Sequence, residues 1–111
     1  MTRRDLLKLC DALWSKIILS RGRCQICYSR RNLEPHHIIS KRYAATRFDP
    51  ENGACVCNHD HGRLTRHEIY LITLKEEQEL KRKTKKWTVP ELLELRQHLK
   101  DSFAELQGKI K

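Results

Sequence analysis

The sequence predicts a single α+β domain in which a metal-binding centre lies between N- and C-terminal helices. Its 111 residues suffice for one domain with one modest core. Apolar residues recur at helical spacing near both ends, whereas the middle is rich in cysteine, histidine and turn-forming residues. A structural metal would stabilise a domain this small. We therefore divide the chain into an N-terminal helix (1–22), a central region (23–67) and C-terminal helices (68–111).

The N-terminal helix is predicted over residues 3–20, ending at Arg21 and Gly22. Its apolar positions, at three- and four-residue steps, are Leu6, Leu7, Cys10, Leu13, Trp14, Ile17 and Ile18. Cys10 lies on this apolar side, so a buried structural thiol is expected there rather than a metal ligand.

The central region is predicted to alternate loops with short strands. Residues 23–32 would form a metal knuckle, 33–40 a strand, 41–52 a basic loop and 55–57 a second strand. The helical pattern returns from Gly62 onward. The side chains expected to face inward there are Leu64, Ile69, Ile72 and Leu80, and those expected to face outward are Glu76, Glu77 and Glu79.

The last helix has a clear start signal. Thr88 is the predicted N-cap, Glu91 completes a capping box, and Pro90 stands at an early position where its missing N–H is harmless. The apolar stripe that follows comprises Leu92, Leu95, Leu99, Phe103 and Leu106. Such a stripe is typical of a helix that packs on a core.

The net charge and the cysteine content indicate which partners and which cell compartment to expect for this chain. Lys and Arg number 23 against 14 Asp and Glu, a net charge of +9, which favours nucleic acid as a partner. Five cysteines, with one Cys-x-x-Cys pair, favour metal over disulfides and hence a reducing compartment such as the cytoplasm. No stretch approaches the roughly 18 apolar residues of a membrane span, so no membrane partner is expected.

A histidine constellation carries the strongest functional signal. His36 and His37 are adjacent, Asn52 follows, and His61 comes nine residues after Asn52. Imidazole is both a metal ligand and a side chain whose pKa suits proton transfer near neutrality. In a small basic protein, this cluster points to metal-assisted cleavage of a phosphodiester.

This order and spacing resembles the HNH endonuclease pattern, a ββα-metal motif in which two strands and a helix hold one divalent cation. The resemblance covers roughly residues 23–67. It implies that His36 and His61 would hold the catalytic ion, Mg²⁺ or a similar divalent cation, and that His37 would be the general base. Asn52 would hold the loop that orients His37. Neighbouring side chains on a strand point to opposite faces, so a bulged or twisted hairpin is expected to bring the two histidines together.

A second, shorter resemblance extends further along the chain. The segments Arg47-Phe48-Asp49-x-x-Asn52 and Lys86-Trp87-Thr88-Val89 are similar to those of phage recombination nucleases of the NinG/Rap type. This resemblance implies a nuclease acting on branched DNA in the cytoplasm of a bacterial or phage-infected cell.

The family register also implies a structural zinc site. Many HNH members have Cys-x-x-Cys-His where this chain has residues 57–61, so the zinc ligands would be Cys24, Cys27, Cys57 and Asp60. A carboxylate is an acceptable zinc ligand. His59 competes for the fourth position, Cys55 should point away from Cys57 on a strand, and a degenerate, empty site is a further alternative. His67 and His98 are expected to be surface histidines.

Basic residues surround these motifs and are predicted to contact DNA phosphates without reading sequence. They are Lys41, Arg42, Arg47, Arg63, Arg66, Lys81, Arg82, Lys83, Lys85 and Lys86. The expected function is a zinc-stabilised, divalent-metal-dependent endonuclease that hydrolyses DNA. The alternatives are a non-catalytic zinc module that only binds DNA and a zinc-stabilised protein-interaction module.

Overall fold

Four helices and one two-stranded antiparallel sheet make up the computed structural model, which describes the backbone of residues 1–110 and the side chains of residues 1–108. In chain order the elements are α1 (Arg3–Leu19), β1 (Leu33–His37), a short 3-10 helix (Pro50–Asn52), β2 (Gly53–Cys57), α2 (Asn58–Thr65), α3 (Leu74–Lys81) and α4 (Val89–Ile110). The α+β class is thus confirmed. Among the described residues, no helix combines the length and apolarity needed to cross a bilayer.

The main core lies between α1 and α4. Its buried members are Leu6, Cys10, Ile17, Phe48, Leu92 and Leu99. Capping boxes start both helices, because Thr2 exchanges hydrogen bonds with Asp5, and Thr88 exchanges them with Glu91. The predicted start of the last helix and the buried thiol of Cys10 are therefore confirmed.

The sheet differs from its prediction at both ends. β1 stops at His37 rather than at residue 40, because the Ile38 and Ile39 N–H groups bond to the backbone and side-chain oxygens of Asn52 instead of to β2. β2 begins at Gly53, two residues before the predicted start. Residues 33–37 pair one to one with residues 57–53. Of the bulged or twisted hairpin that was expected, the bulge is therefore wrong.

The helix predicted from Gly62 onward is divided into two. α2 already begins at Asn58 and ends at Thr65, after which His67 adopts a left-handed φ of 58°. That conformation is incompatible with continuing an α-helix. A new helix, α3, starts only at the capping box of Thr73 and Glu76. The inward positions of Leu64, which is buried, and Ile69, which packs on the same cluster, are confirmed.

Gly53 marks the closest approach of α1 to the sheet. A Cβ added there would lie 2.2 Å from Cδ1 of Ile18 and 2.8 Å from Cζ2 of Trp14. We expect Gly53→Ala to lower the free energy of unfolding by about 1–3 kcal/mol through overpacking, measured by urea denaturation. Gly108→Ala is the matched control, because no atom of the described residues lies within 4 Å of its added Cβ and helical alanine is favourable. Equal stability of the two variants would contradict this packing argument.

Candidate functional site

Three histidines border one groove of about 700 Å³. His36 and His37 reach it from the end of β1, and His61 reaches it from the first turn of α2. The opposite sides are formed by Trp14 of α1 and by the segment 67–72. A groove of this size falls in the range of ligand-binding pockets. The structure therefore brings together the histidines that the sequence singled out.

His36 and His61 form a pair on one face of β1. Their ring centroids are 5.0 Å apart at an interplanar angle of 72°. Nδ1 of His61 donates to Oε1 of Glu34 at 2.7 Å, which leaves Nε2 as the nitrogen with a free lone pair. A carboxylate behind an imidazole is the usual support of a metal-ligating histidine.

His36 is held neutral at physiological pH. Burial lowers its pKa to about 4, and the neighbouring imidazoles of His61 and His37 lower it further in the same direction. A neutral imidazole keeps the lone pair that a metal ion requires. The chemistry of this pair therefore suits a divalent cation held between two elements of the fold.

His37 lies on the other face of β1, against α1. Its ring stacks on Trp14 with centroids 3.8 Å apart and an interplanar angle of 11°. Nε2 lies 3.0 Å from the Arg47 carbonyl oxygen, which can only accept, so Nε2 carries the proton and Nδ1 is the basic nitrogen. Burial lowers the pKa of His37, although the hydrogen bond to the Arg47 carbonyl opposes this shift.

Asn52 holds the loop between the two strands, as the HNH resemblance implied. Its buried side chain accepts from the Ile39 N–H at 2.8 Å and donates to the carbonyls of Ile39 and Thr46 at 3.0 and 3.1 Å. Thr46 immediately precedes Arg47, whose carbonyl binds His37. Asn52 therefore fixes the backbone that orients His37.

Three residues of the site were missed as functional in the sequence. Trp14 had been counted only as core, yet it stacks on His37 and donates from Nε1 to the Asp49 carbonyl at 2.9 Å. Asp11 binds Arg47 through two hydrogen bonds of 3.0 and 2.6 Å. Glu34 could have been found, because it stands two residues before His36 and so shares its face of the strand.

A second cluster consists of Cys24, Cys27, Cys57 and Asp60. Its candidate ligand atoms all lie within 4.8 Å of one another. Oδ2 of Asp60 is 3.2 Å from Sγ of Cys24 and 3.4 Å from Sγ of Cys57. Backbone N–H groups of residues 26 and 27 point at Sγ of Cys24. The cluster could hold a metal ion and is compatible with structural zinc.

The two alternative ligands considered for the fourth metal-binding position, His59 and Cys55, lie outside this cluster. His59 is exposed and does not join the cluster. Cys55 faces Trp14 and Ile18 in a separate buried cluster, as the alternation of strand residues predicted. Hydrogen bonds from the neighbouring thiols, first that of Cys27, lower the pKa of Asp60 to about 2, so its carboxylate is ionised and available as a ligand.

The predicted phosphate contacts divide into two groups. The first group forms ion pairs, which are Arg47–Asp11, Arg63–Asp60, Arg66–Glu68, Lys81–Glu77 and Lys85–Glu91. The second group is exposed and forms no ion pair within the described part of the chain; it comprises Lys41, Arg42, Arg82, Lys83 and Lys86. Arg47 binds Asp11 through Nε and Nη2, and its side chain is 23% exposed. Arg63 holds Oδ1 of Asp60 and so orients the carboxylate toward the thiols.

Comparison with known proteins identifies no relative: no family model, curated protein or solved structure matches this chain.

Proposed function

We propose that this protein is a divalent-metal-dependent endonuclease of the HNH type that hydrolyses phosphodiester bonds of DNA. One observation carries the proposal. His37, whose Nε2 faces a backbone carbonyl, lines the same groove as a histidine pair that is backed by a carboxylate. A base and a cation-binding pair in one groove are what hydrolysis of a phosphodiester requires.

His37 would take the proton of the attacking water at Nδ1. The hydrogen bond from Nε2 to Arg47 would stabilise the protonated ring once the proton has arrived, because an imidazolium donates more strongly to a carbonyl. Trp14 keeps the ring in place through stacking, and Asn52 keeps the accepting carbonyl in place through its loop. The proton thus reaches a nitrogen whose orientation is set before the substrate arrives.

His36 and His61 would hold the catalytic ion, which would offset the charge that develops on the phosphate and the leaving oxygen. Glu34 supports His61 from behind. Imidazoles suit transition metals better than Mg²⁺, which prefers oxygen ligands. The donor set therefore favours Ni²⁺ or Zn²⁺ over Mg²⁺ and Mn²⁺ as the most active ion. The cluster around Cys24 would hold a separate, structural zinc.

The charge of the chain fits a DNA substrate. The net charge is +9, and Lys41 and Lys81 border the groove itself. Arg82, Lys83 and Lys86 continue the positive surface beyond the end of α3. Such cations neutralise backbone phosphates and position the strand without selecting its sequence.

The test is an ion add-back on plasmid DNA and on branched DNA. Protein carrying only its tightly bound zinc should leave both substrates intact, and adding Ni²⁺ or Zn²⁺ should start cleavage faster than adding Mn²⁺ or Mg²⁺ does. DNA binding without cleavage under every ion would support the alternative of a zinc module that only binds DNA. Absence of any salt-sensitive DNA affinity would instead support a protein-interaction module.

A further inference from the structure

One wall of the groove carries an aromatic side chain that the proposed reaction does not use. Tyr70 lies between α2 and α3 and is 70% exposed, yet it lines the same groove as the three histidines. A single exposed tyrosine is ordinary on a protein surface. One that shares a groove with a candidate reaction centre lies where it would touch whatever the groove binds.

A second ring lies beside this tyrosine. The imidazole of His67 lies at 22° to the Tyr70 ring with the centroids 6.0 Å apart, and both rings line the groove. Both side chains are exposed, so neither contributes to the core. Exposed aromatic side chains in a groove are the kind of group on which nucleic-acid bases stack.

The groove carries one cation that has no ion-pair partner among the described residues. Lys41 is exposed at the groove, and Lys81 lies 2.7 Å from Glu77, whose negative charge it offsets. A nucleotide combines an anionic phosphate with a flat base, and this groove combines the unpaired cation of Lys41 with two aromatic rings. The carboxylate of Asp11, which also lines the groove, is paired with Arg47. The groove volume of about 700 Å³ admits a nucleotide.

We propose that Tyr70, with His67 beside it, stacks on an unpaired base next to the scissile phosphate. The preferred substrate would then be DNA with single-stranded nucleotides at the cut. This inference rests on the proposed endonuclease function. In a duplex the bases are stacked on one another, so a protein ring can stack on one only after it leaves the helix. Stacking of this kind tolerates any sequence, because every base has a π face.

The experiment measures affinity by fluorescence anisotropy, without added divalent ion, for a single-stranded oligonucleotide and for a duplex of the same sequence. Tyr70→Ala should weaken single-strand binding by about 5- to 150-fold, the range expected for one lost base stack, and leave duplex binding almost unchanged. Tyr70→Phe should bind as the wild type does, because the ring remains. Tyr28→Ala is the matched control, since Tyr28 is 68% exposed and does not line the groove.

Equal weakening of single-strand and duplex binding, or no weakening of either, would overturn the stacking site. The outcomes also separate this inference from the proposed function. If the wild-type protein cleaves no DNA but Tyr70→Ala selectively loses single-strand binding, the stacking site is supported and the nuclease function is contradicted. If the wild type cleaves DNA and Tyr70→Ala binds as the wild type does, the nuclease function is supported and the stacking site is contradicted.

Discussion

Replacing His37 by alanine should slow DNA cleavage by about 10²- to 10⁴-fold, the range that a missing general base typically costs. The variant removes the nitrogen that would take the proton, while the basic surface and the pair of His36 and His61 remain. We therefore expect DNA affinity close to that of the wild type. Single-turnover cleavage with saturating protein separates the chemical step from binding.

The control for His37→Ala is His98→Ala. His98 is an exposed histidine of α4 that does not line the groove, so its loss should change neither rate nor affinity. Turnover at the wild-type rate by His37→Ala would contradict its role as the base. A matching loss of DNA affinity would show that His37 acts in binding.

The helices were the part of the fold that the sequence predicted best. Their apolar spacing and capping residues are local signals, and the start of α4 after Thr88 was confirmed. The end of β1 was wrong because it depends on Asn52, which lies far along the chain and binds the Ile38 and Ile39 N–H groups through its backbone and side-chain oxygens. The break after α2 was missed because a non-glycine residue, His67, adopts a left-handed conformation there.

The prediction of the candidate site was likewise incomplete. The HNH resemblance implied the cluster of three cysteines and Asp60, and the structure assembles it. It did not imply the contacts around His37, since Asp11 and Arg47 are 36 residues apart and meet only when α1 packs on the loop. A basic side chain in a sequence carries no sign of its partner, so the ion pair of Arg47 with Asp11 was not predicted.

Cys24→Ser should remove the tightly bound zinc and unfold the central region. Small zinc domains gain about 10–16 kcal/mol from their metal, as much as the entire stability of a typical domain. The cluster around Cys24 is distinct from the core between α1 and α4, so we expect part of the helical circular dichroism to survive. Elemental analysis should fall from one zinc per chain to none. The control is Cys55→Ser, which should keep the zinc because Cys55 is on the same strand as Cys57 but on its other face. Equal zinc content in the two variants would contradict the proposed zinc site.

The fourth zinc ligand is decided by comparing Asp60→Ala with His59→Ala. Asp60 is buried, Oδ2 faces two thiols, and Arg63 holds Oδ1, whereas the neighbouring histidine is exposed. Removing a buried ligand leaves the thiolates with an open coordination position, so Asp60→Ala should lose zinc to a chelating dye at concentrations that leave the wild type loaded. His59→Ala should behave as the wild type does. The reverse order, with zinc lost only from His59→Ala, would keep the three cysteines as ligands and make His59 the fourth, which requires the start of α2 to turn inward when the metal binds.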